Sequence, residues 1–324
     1  MRAIIPVAGV GSRLRPHTYT VPKVLLNVAG KPIIGHILDK VIGAGFDEVT
    51  IVIGYLGEKI KEYVLANYKI KIDFVEQEER LGLGHAIYIS RNTFSCDPIL
   101  IILGDTIFDV NLKLMTENER TQIGVKYVDD PRRFGVAETT NGTIARLVEK
   151  PEVPNSNLAI VGLYYIKQPQ LLVGCLEEMI ENNTRTKGEF QLTDALQMMI
   201  ERGEKMETFS IEGWFDCGKP ETLLSTNRHL LEHQQVPPSR KDIIICPPAF
   251  VSPTANVSNA IIGPNATIAE NTTVVNAIIR NSIVSEGATV ENALIENSII
   301  GNNAVVRGNY KRINIGDSSE LEFY

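Results

Sequence analysis

Hydrophobic positions along the chain fall into two textures. In the first, aliphatic runs recur between amphipathic stretches. Met1 to Val7, Val49 to Ile53 (VTIVI), Ile72 to Val75 and Ile99 to Leu103 (ILIIL) read as strands, and ILIIL is apolar at every position, as a strand buried on both faces must be. Helical patterns fall at about residues 57–67, 84–91, 168–180, 190–202 and 220–235. The β-α alternation up to about residue 130 predicts an α/β domain with a Rossmann-like, mostly parallel, doubly wound sheet. Short strands between residues 123 and 166 predict an antiparallel extension carrying part of a pocket. QQVPPSR, at residues 234–240, has linker composition.

The second texture begins after Cys246. Aliphatic residues recur at Val251, Val257, Ile262, Ile268, Val274, Ile279, Val284, Val290, Ile295, Ile300 and Val306, always five or six apart. Asn, Gly, Ala, Ser and Thr fill the intervals, as in VSNAI, IGPNAT, VENAL, IENSI and IGNNAV. No helical period fits, and a β-sandwich would alternate over longer strands. One inward aliphatic residue per short strand, with turn-forming residues at the corners, is the hexapeptide pattern of a parallel β-helix. The expected division is residues 1–237 for the α/β domain and 238–324 for a short β-helix with a C-terminal tail.

Composition narrows the function. At 324 residues and 35.9 kDa, two domains are the default. A net charge of −7 leaves no basic surplus for a nucleic-acid backbone, although a local cationic cluster can still hold a nucleotide. Cys96, Cys175, Cys217 and Cys246 show no metal-type spacing and read as reduced core cysteines. No apolar run reaches the length of a membrane span, and the chain starts on a core strand, so no membrane partner and a cytoplasmic location are expected.

The first strand runs into PVAGVGSRLRPHTYTVPK, residues 6–23. Gly9 and Gly11 permit close backbone approach, and Arg13, Arg15 and Lys23 surround them with positive charge, a loop suited to an anion. Alone, it also reads as a surface turn with solvated cations. GVGSRL lacks the third glycine of a dinucleotide loop, and GxxxxGK[ST] does not occur. Asp105 follows ILIILG, where a parallel strand emerges at its carboxyl end and α/β sheets build ligand sites.

AGVGSRLRPHTYTVPK resembles the signature loop of the sugar-1-phosphate nucleotidylyltransferases, which include the glucose-1-phosphate thymidylyl- and uridylyltransferases. EQEERLGLGHA, LGDTIF, RFGVA, VEKP, IVGLYYI, KGEFQLTDA and WFDCG follow in the family's order, so the resemblance covers roughly residues 1–235. The hexapeptide tail is similar to the left-handed β-helix appended to several members.

The resemblance implies residue roles. Ala8, Gly9, Gly11, Ser12 and Arg13 would form the triphosphate loop, with Lys23 bracketing the same phosphates. Gln77 and Gly82 would meet a pyrimidine base. Asp105 and Asp216 would bind Mg²⁺. Glu149 would accept from sugar hydroxyls and Lys150 would hold the 1-phosphate, with Gly135, Gly162 and Tyr164 beside the sugar. Lys187 would reach the phosphate or stay solvated. Arg13, Lys23, Asp105, Lys150 and Asp216 would carry catalysis.

The implied reaction joins a nucleoside triphosphate, with dTTP or UTP favoured, to a sugar-1-phosphate, with glucose-1-phosphate favoured. It gives a nucleotide-sugar and pyrophosphate. Two relatives remain as alternatives: a mannose-1-phosphate guanylyltransferase and a non-catalytic regulatory subunit. Acetyl transfer by the tail is not expected, because all five histidines precede it and none could serve as its base. A homo-oligomer joined through the tail is expected.

Overall fold

The computed structural model describes residues 1–235 and 242–308. Most of the predicted linker and the tail beyond Gly308 lie outside the described residues. The chain divides into two compact units, Met1–Asn27 with Lys31–Thr226, and Val28–Gly30 with Asn227–Tyr324.

From Arg2 the chain runs through β1 (Arg2–Pro6), the short strands β2 (Asn27–Val28) and β3 (Lys31–Pro32), α1 (Ile33–Gly43), β4 (Glu48–Ile53), α2 (Gly57–Asn67), β5 (Lys71–Glu76), α3 (Leu83–Ile89), β6 (Ile99–Ile102), β7 (Thr106–Asp109) and α4 (Leu112–Thr116). It continues through β8 (Thr121–Tyr127), β9 (Gly135–Thr140), β10 (Thr143–Glu149), β11 (Leu158–Ile166), α5 (Pro169–Glu181), α6 (Leu192–Glu201), β12 (Met206–Ser210), β13 (Gly213–Asp216) and α7 (Pro220–Glu232), which begins in the first unit and passes into the second at Asn227. Nine strands form one sheet in the order β5-β4-β1-β6-β11-β8-β12-β10-β9. β5, β4, β1 and β6 are mutually parallel, and β8, β12 and β9 run the same way; only β11 and β10 are reversed. The sheet is therefore mostly parallel, and the expected antiparallel extension is part of it.

β1 and β6 are buried along nearly their whole length. Ile4, Ile99 and Ile101 join a core with Leu172, Cys175, Leu176 and Met179 of α5 and Leu196 and Met199 of α6. Spacings of three and four place the α5 residues on one stripe, and Pro169 starts that helix where its missing N–H costs nothing. α1 has no counterpart in the sequence reading. The helix expected at 84–91 ends at Ile89 and passes into a 3₁₀ turn at Arg91–Thr93, α6 begins two residues late at Leu192, and α7 stops at Glu232. Cys175 and Cys217 are core residues, but Cys96 is exposed and Cys246 half-buried, which corrects the expectation for those two.

The second unit is built from β14 (Ile243–Ile245), β15 (Ala249–Val251), β16 (Asn256–Ile262), β17 (Ala266–Ile268), β18 (Thr273–Arg280), β19 (Ile283–Val284), β20 (Thr289–Glu291), β21 (Leu294–Glu296), β22 (Ile299–Ile300) and β23 (Val305–Arg307). The strand pairs among its described residues are all parallel, and each paired residue faces one sixteen or seventeen positions on, as in Val257↔Val274 and Val274↔Val290. The pairings stack the predicted aliphatic positions in three columns: Val257, Val274, Val290 and Val306; Ile262, Ile279 and Ile295; Val251, Ile268, Val284 and Ile300. All eleven belong to one core. Asparagines turn the corners. Asn259, Asn276 and Asn292 all have positive φ, which asparagine tolerates, and their amides bond in a ladder at 2.6 and 3.1 Å. This arrangement is compatible with a β-helix.

Candidate active site

β5, β4, β1 and β6 end at one edge of the sheet, and the segments leaving β5, β1 and β6 build the first half of the site. Val7 N–H donates to Val52 O at 2.8 Å, carrying the chain one residue past β1 before the glycine loop turns. Gly11 sits at φ 64°, and a Cβ there would lie 3.0 Å from Lys23 Cβ and from Thr18 Cγ2. The left-handed turn and the absent side chain let Lys23 pack against the loop. Lys23, only 8% exposed, donates from Nζ to Asp105 Oδ2 at 2.7 Å. Gln77 continues β5: its N–H donates to Ile53 O at 2.8 Å, and its side-chain Nε2 donates to Gly82 O at 3.1 Å.

The two aspartates meet through a strand pair outside the main sheet. β13 runs antiparallel to β7 with Asp216 opposite Thr106, and Cys217 N–H donates to Asp105 O at 2.9 Å. Burial holds the Asp216 carboxyl above the usual carboxylate range, and Asp105 pushes the same way; Lys23 and Arg13 oppose both. A Cβ on Gly218 would lie 2.8 Å from Asp216 Oδ1 and 2.9 Å from Arg13 Nη2, so carboxylate and guanidinium converge over that glycine. Two carboxylates of like charge, with oxygen donors only, form a set that fits a hard divalent cation.

A cavity of about 550 Å³ is lined by Ala8, Gly9, Arg13, Lys23, Gln77, Gly82 and Asp105. A second, of about 470 Å³, is lined by Arg13, Asp105, Gly135, Glu149, Lys150, Gly162, Tyr164 and Asp216. Arg13, Leu83, Leu103 and Asp105 line both, so the cavities are halves of one groove with Arg13 and Asp105 at the junction. Of the predicted residues, Gly11 and Ser12 do not line it; they shape the loop behind it. Lys187 does not line the groove either; it borders an adjoining recess with Arg132, Arg133 and Lys150, the last two of which also line the second cavity.

In the second half, Glu149 accepts from Thr193 Oγ1 at 2.7 Å and pairs with Lys150 Nζ at 3.0 Å. Gly162, at φ 86°, interrupts β11 where its register with β8 shifts, and a Cβ there would fall 2.5 Å from Leu103 Cδ1. The irregularity opens the sheet at the floor of the groove. Tyr164 is buried beside it, and burial raises its hydroxyl pKa well above the ordinary tyrosine value. Trp214 packs edge-on against Phe134 at 5.2 Å, and its buried indole Nε1 has no hydrogen-bond partner among the described residues. A buried donor on a cavity wall is suited to an oxygen from a ligand.

Arg80, Thr193 and Trp214 line the groove without having been singled out in the sequence. Strand periodicity carried a signal for one of them: Trp214 lies two residues before Asp216 and therefore shares its face of β13. Thr193 lies in the first turn of α6, and Arg80 on the loop before α3; both fall inside the motifs KGEFQLTDA and EQEERLGLGHA, but only the tertiary fold shows that their side chains line the groove.

A family model described as Nucleotidyl transferase matches residues 2–233. Over 246 residues the chain is 32% identical to the low-salt glycan biosynthesis nucleotidyltransferase Agl11 of Haloferax volcanii, covering 73% of this chain and 68% of that protein. It is 30% identical over 313 residues to a glucose-1-phosphate thymidylyltransferase of Streptomyces griseus, covering 87% and 86%. A match of 37% over 235 residues to the bifunctional protein GlmU of Methanococcus maripaludis covers 71% of this chain but 54% of that protein. A crystal structure of UDP-glucose pyrophosphorylase complexed with UDP-glucose superposes with a TM-score of 0.62 at 26% identity, covering 72% of this chain and 99% of that one.

Proposed function

As this chain belongs to the nucleotidyl transferase family and is an enzyme of that kind, we propose that it couples UTP or dTTP to glucose-1-phosphate, yielding a nucleotide-sugar and pyrophosphate. The observation that carries this reading is the two-part groove whose halves share Arg13 and Asp105. One half takes the nucleotide, the other the sugar phosphate, and the reacting phosphates meet at the junction.

A sugar-phosphate oxygen attacks the α-phosphorus in line, the α–β bridging P–O bond breaks, and pyrophosphate takes the electron pair. The nucleophile is already ionised, so no general base is required. Arg13 and Lys23 hold the triphosphate and neutralise the departing pyrophosphate. Lys150 holds the sugar 1-phosphate against repulsion from the triphosphate, and Glu149, oriented by Thr193, accepts from the sugar hydroxyls. Trp214 Nε1–H donates to the same substrate. Asp105 and Asp216 would hold Mg²⁺, which supplies charge neutralisation at the phosphates when bound. The second unit is read as a left-handed β-helix that joins subunits of a cytoplasmic oligomer; sedimentation as a monomer would remove that role.

The test is pyrophosphate release with Mg²⁺ across four nucleoside triphosphates and several sugar-1-phosphates. UTP or dTTP with glucose-1-phosphate is expected to be fastest. Preference for GTP with mannose-1-phosphate would reassign the substrates, and no release from any pair would overturn the reading.

A further inference from the structure

Gln77 carries a constraint on which base it can read. Its amide nitrogen lies 3.1 Å from Gly82 O and 3.1 Å from His85 Nδ1. A backbone carbonyl only accepts, so the atom facing Gly82 O must be the amide nitrogen; the oxygen there would set two acceptors against each other. The same NH₂ group then gives its second hydrogen to His85 Nδ1, which must present a lone pair. His85 is thereby fixed as the Nε2–H tautomer. Both Gln77 donors are used inside the protein, and its Oε1 is the atom left for a ligand in the first cavity.

We infer that His85 is a positioning residue that locks Gln77 with its carbonyl oxygen toward the base, so that the site selects bases carrying a ring N–H and rejects those carrying a ring acceptor. The inference rests on the first cavity being the nucleotide half proposed above. Uracil and thymine offer N3–H to Gln77 Oε1, whereas cytosine presents a lone pair at N3 and meets oxygen with a lone pair. His85 does not line the cavity and acts only through the amide. Two contacts hold the side-chain amide, the Gly82 carbonyl and the imidazole, while the backbone N–H of Gln77 is fixed on Ile53 O.

The lock depends on a neutral imidazole. α3, which carries His85, packs against α5 and α6 and against β1. The charged groups acting on the ring are Glu79, on the loop entering α3, and Arg185, on the segment between α5 and α6; Glu79 raises its pKa and Arg185 lowers it. Burial is the larger influence and keeps the pKa below the ordinary histidine value, so Nδ1 accepts at neutral pH. Protonation in acid puts a hydrogen on Nδ1 facing the Gln77 NH₂ and breaks the lock.

Calorimetric titration of the full chain with UTP and with CTP tests this, in the wild type, His85→Ala and His85→Asn. The Asn Oδ1 occupies the place of Nδ1, accepts the same hydrogen and does not titrate. At neutral pH, His85→Ala is expected to weaken UTP roughly tenfold while leaving CTP nearly unchanged, in line with the loss of one part-buried hydrogen bond; His85→Asn should restore the UTP-to-CTP ratio. In acid the wild type should lose UTP affinity beyond what the titrating triphosphate causes, with His85→Asn showing only the triphosphate's share. An unchanged ratio in His85→Ala, or identical acid profiles in wild type and His85→Asn, overturns the proposal. Should His85→Ala fail to fold, the two acid profiles decide alone. Failure of the wild type to bind either nucleotide would sink the nucleotide-half assignment itself, a different result from binding that ignores His85.

Discussion

Replacing Thr193 by valine removes one hydroxyl at nearly constant volume and isolates what holds Glu149 in place. The Glu149 side chain is 9% exposed, and its two oxygens are divided between Thr193 Oγ1 at 2.7 Å and Lys150 Nζ at 3.0 Å. Thr193→Val leaves one carboxylate oxygen without its donor. A hydrogen bond to a charged group contributes about 1.5–3 kcal/mol, which at 1.4 kcal/mol per decade is roughly a 10- to 150-fold change. The loss should fall on the sugar side, because Thr193 lines the second cavity and not the first. Initial rates of pyrophosphate release, with one substrate varied at a time, should therefore show KM for the sugar phosphate rising about tenfold or more and KM for the nucleotide unchanged. Equal rises in both constants would mean that the hydroxyl supports the fold generally. An unchanged sugar-phosphate KM would mean that Glu149 does not hold the sugar.

Asp105→Asn and Lys150→Ala are each expected to lower turnover roughly a hundredfold while the melting curve stays near that of the wild type; a near-normal rate in either would count against the catalytic assignment. Ile279 is fully buried between Ile262 and Ile295 in its column, so Ile279→Ala should cost about 2–5 kcal/mol in denaturant unfolding of the second unit, and an unmoved midpoint would contradict the stacked core. Glu48, bonded by Lys71 and Arg2, has its pKa lowered from 4.5 to about 2. Its contribution to stability is present above 4.5 and fades as pH falls through 2, so Glu48→Gln should flatten the acid limb of the stability–pH curve; an unaltered limb would show that the ion cluster is not felt.

Where periodicity is strong, the sequence was sufficient. The eleven aliphatic residues after Cys246 announce their core because one side chain per short strand leaves no other partner for them. α1 escaped for the opposite reason. IIGHILDKVIG follows Pro32 and is rich in β-branched residues, so it resembles strand and helix equally until its stripe of Ile33, Ile34, Ile37, Leu38 and Val41 is seen to be buried. At the site, the motifs pointed to the residues that converge on the groove, yet Arg80 and Thr193 owe their place to loops and helix starts that only the tertiary fold brings together. The hydrogen bond from Gln77 to His85 was likewise hidden. His85 lies inside EQEERLGLGHA, but its tautomer depends on where the Gly82 carbonyl points.

The ladder between β7 and β13 ties together two acids separated by more than a hundred residues, and it determines which length changes a descendant of this chain could survive. Loops between Asp109 and Gly213 that carry no groove residue, such as the turn at Asn141–Gly142 between β9 and β10, can grow or shrink, since the excursion only has to return to the same partner. A single residue inserted between Gly213 and Asp216 would turn every following side chain over and aim the second acid away from the groove. Length variation in this lineage should therefore crowd into such loops and spare Gly213 to Asp216.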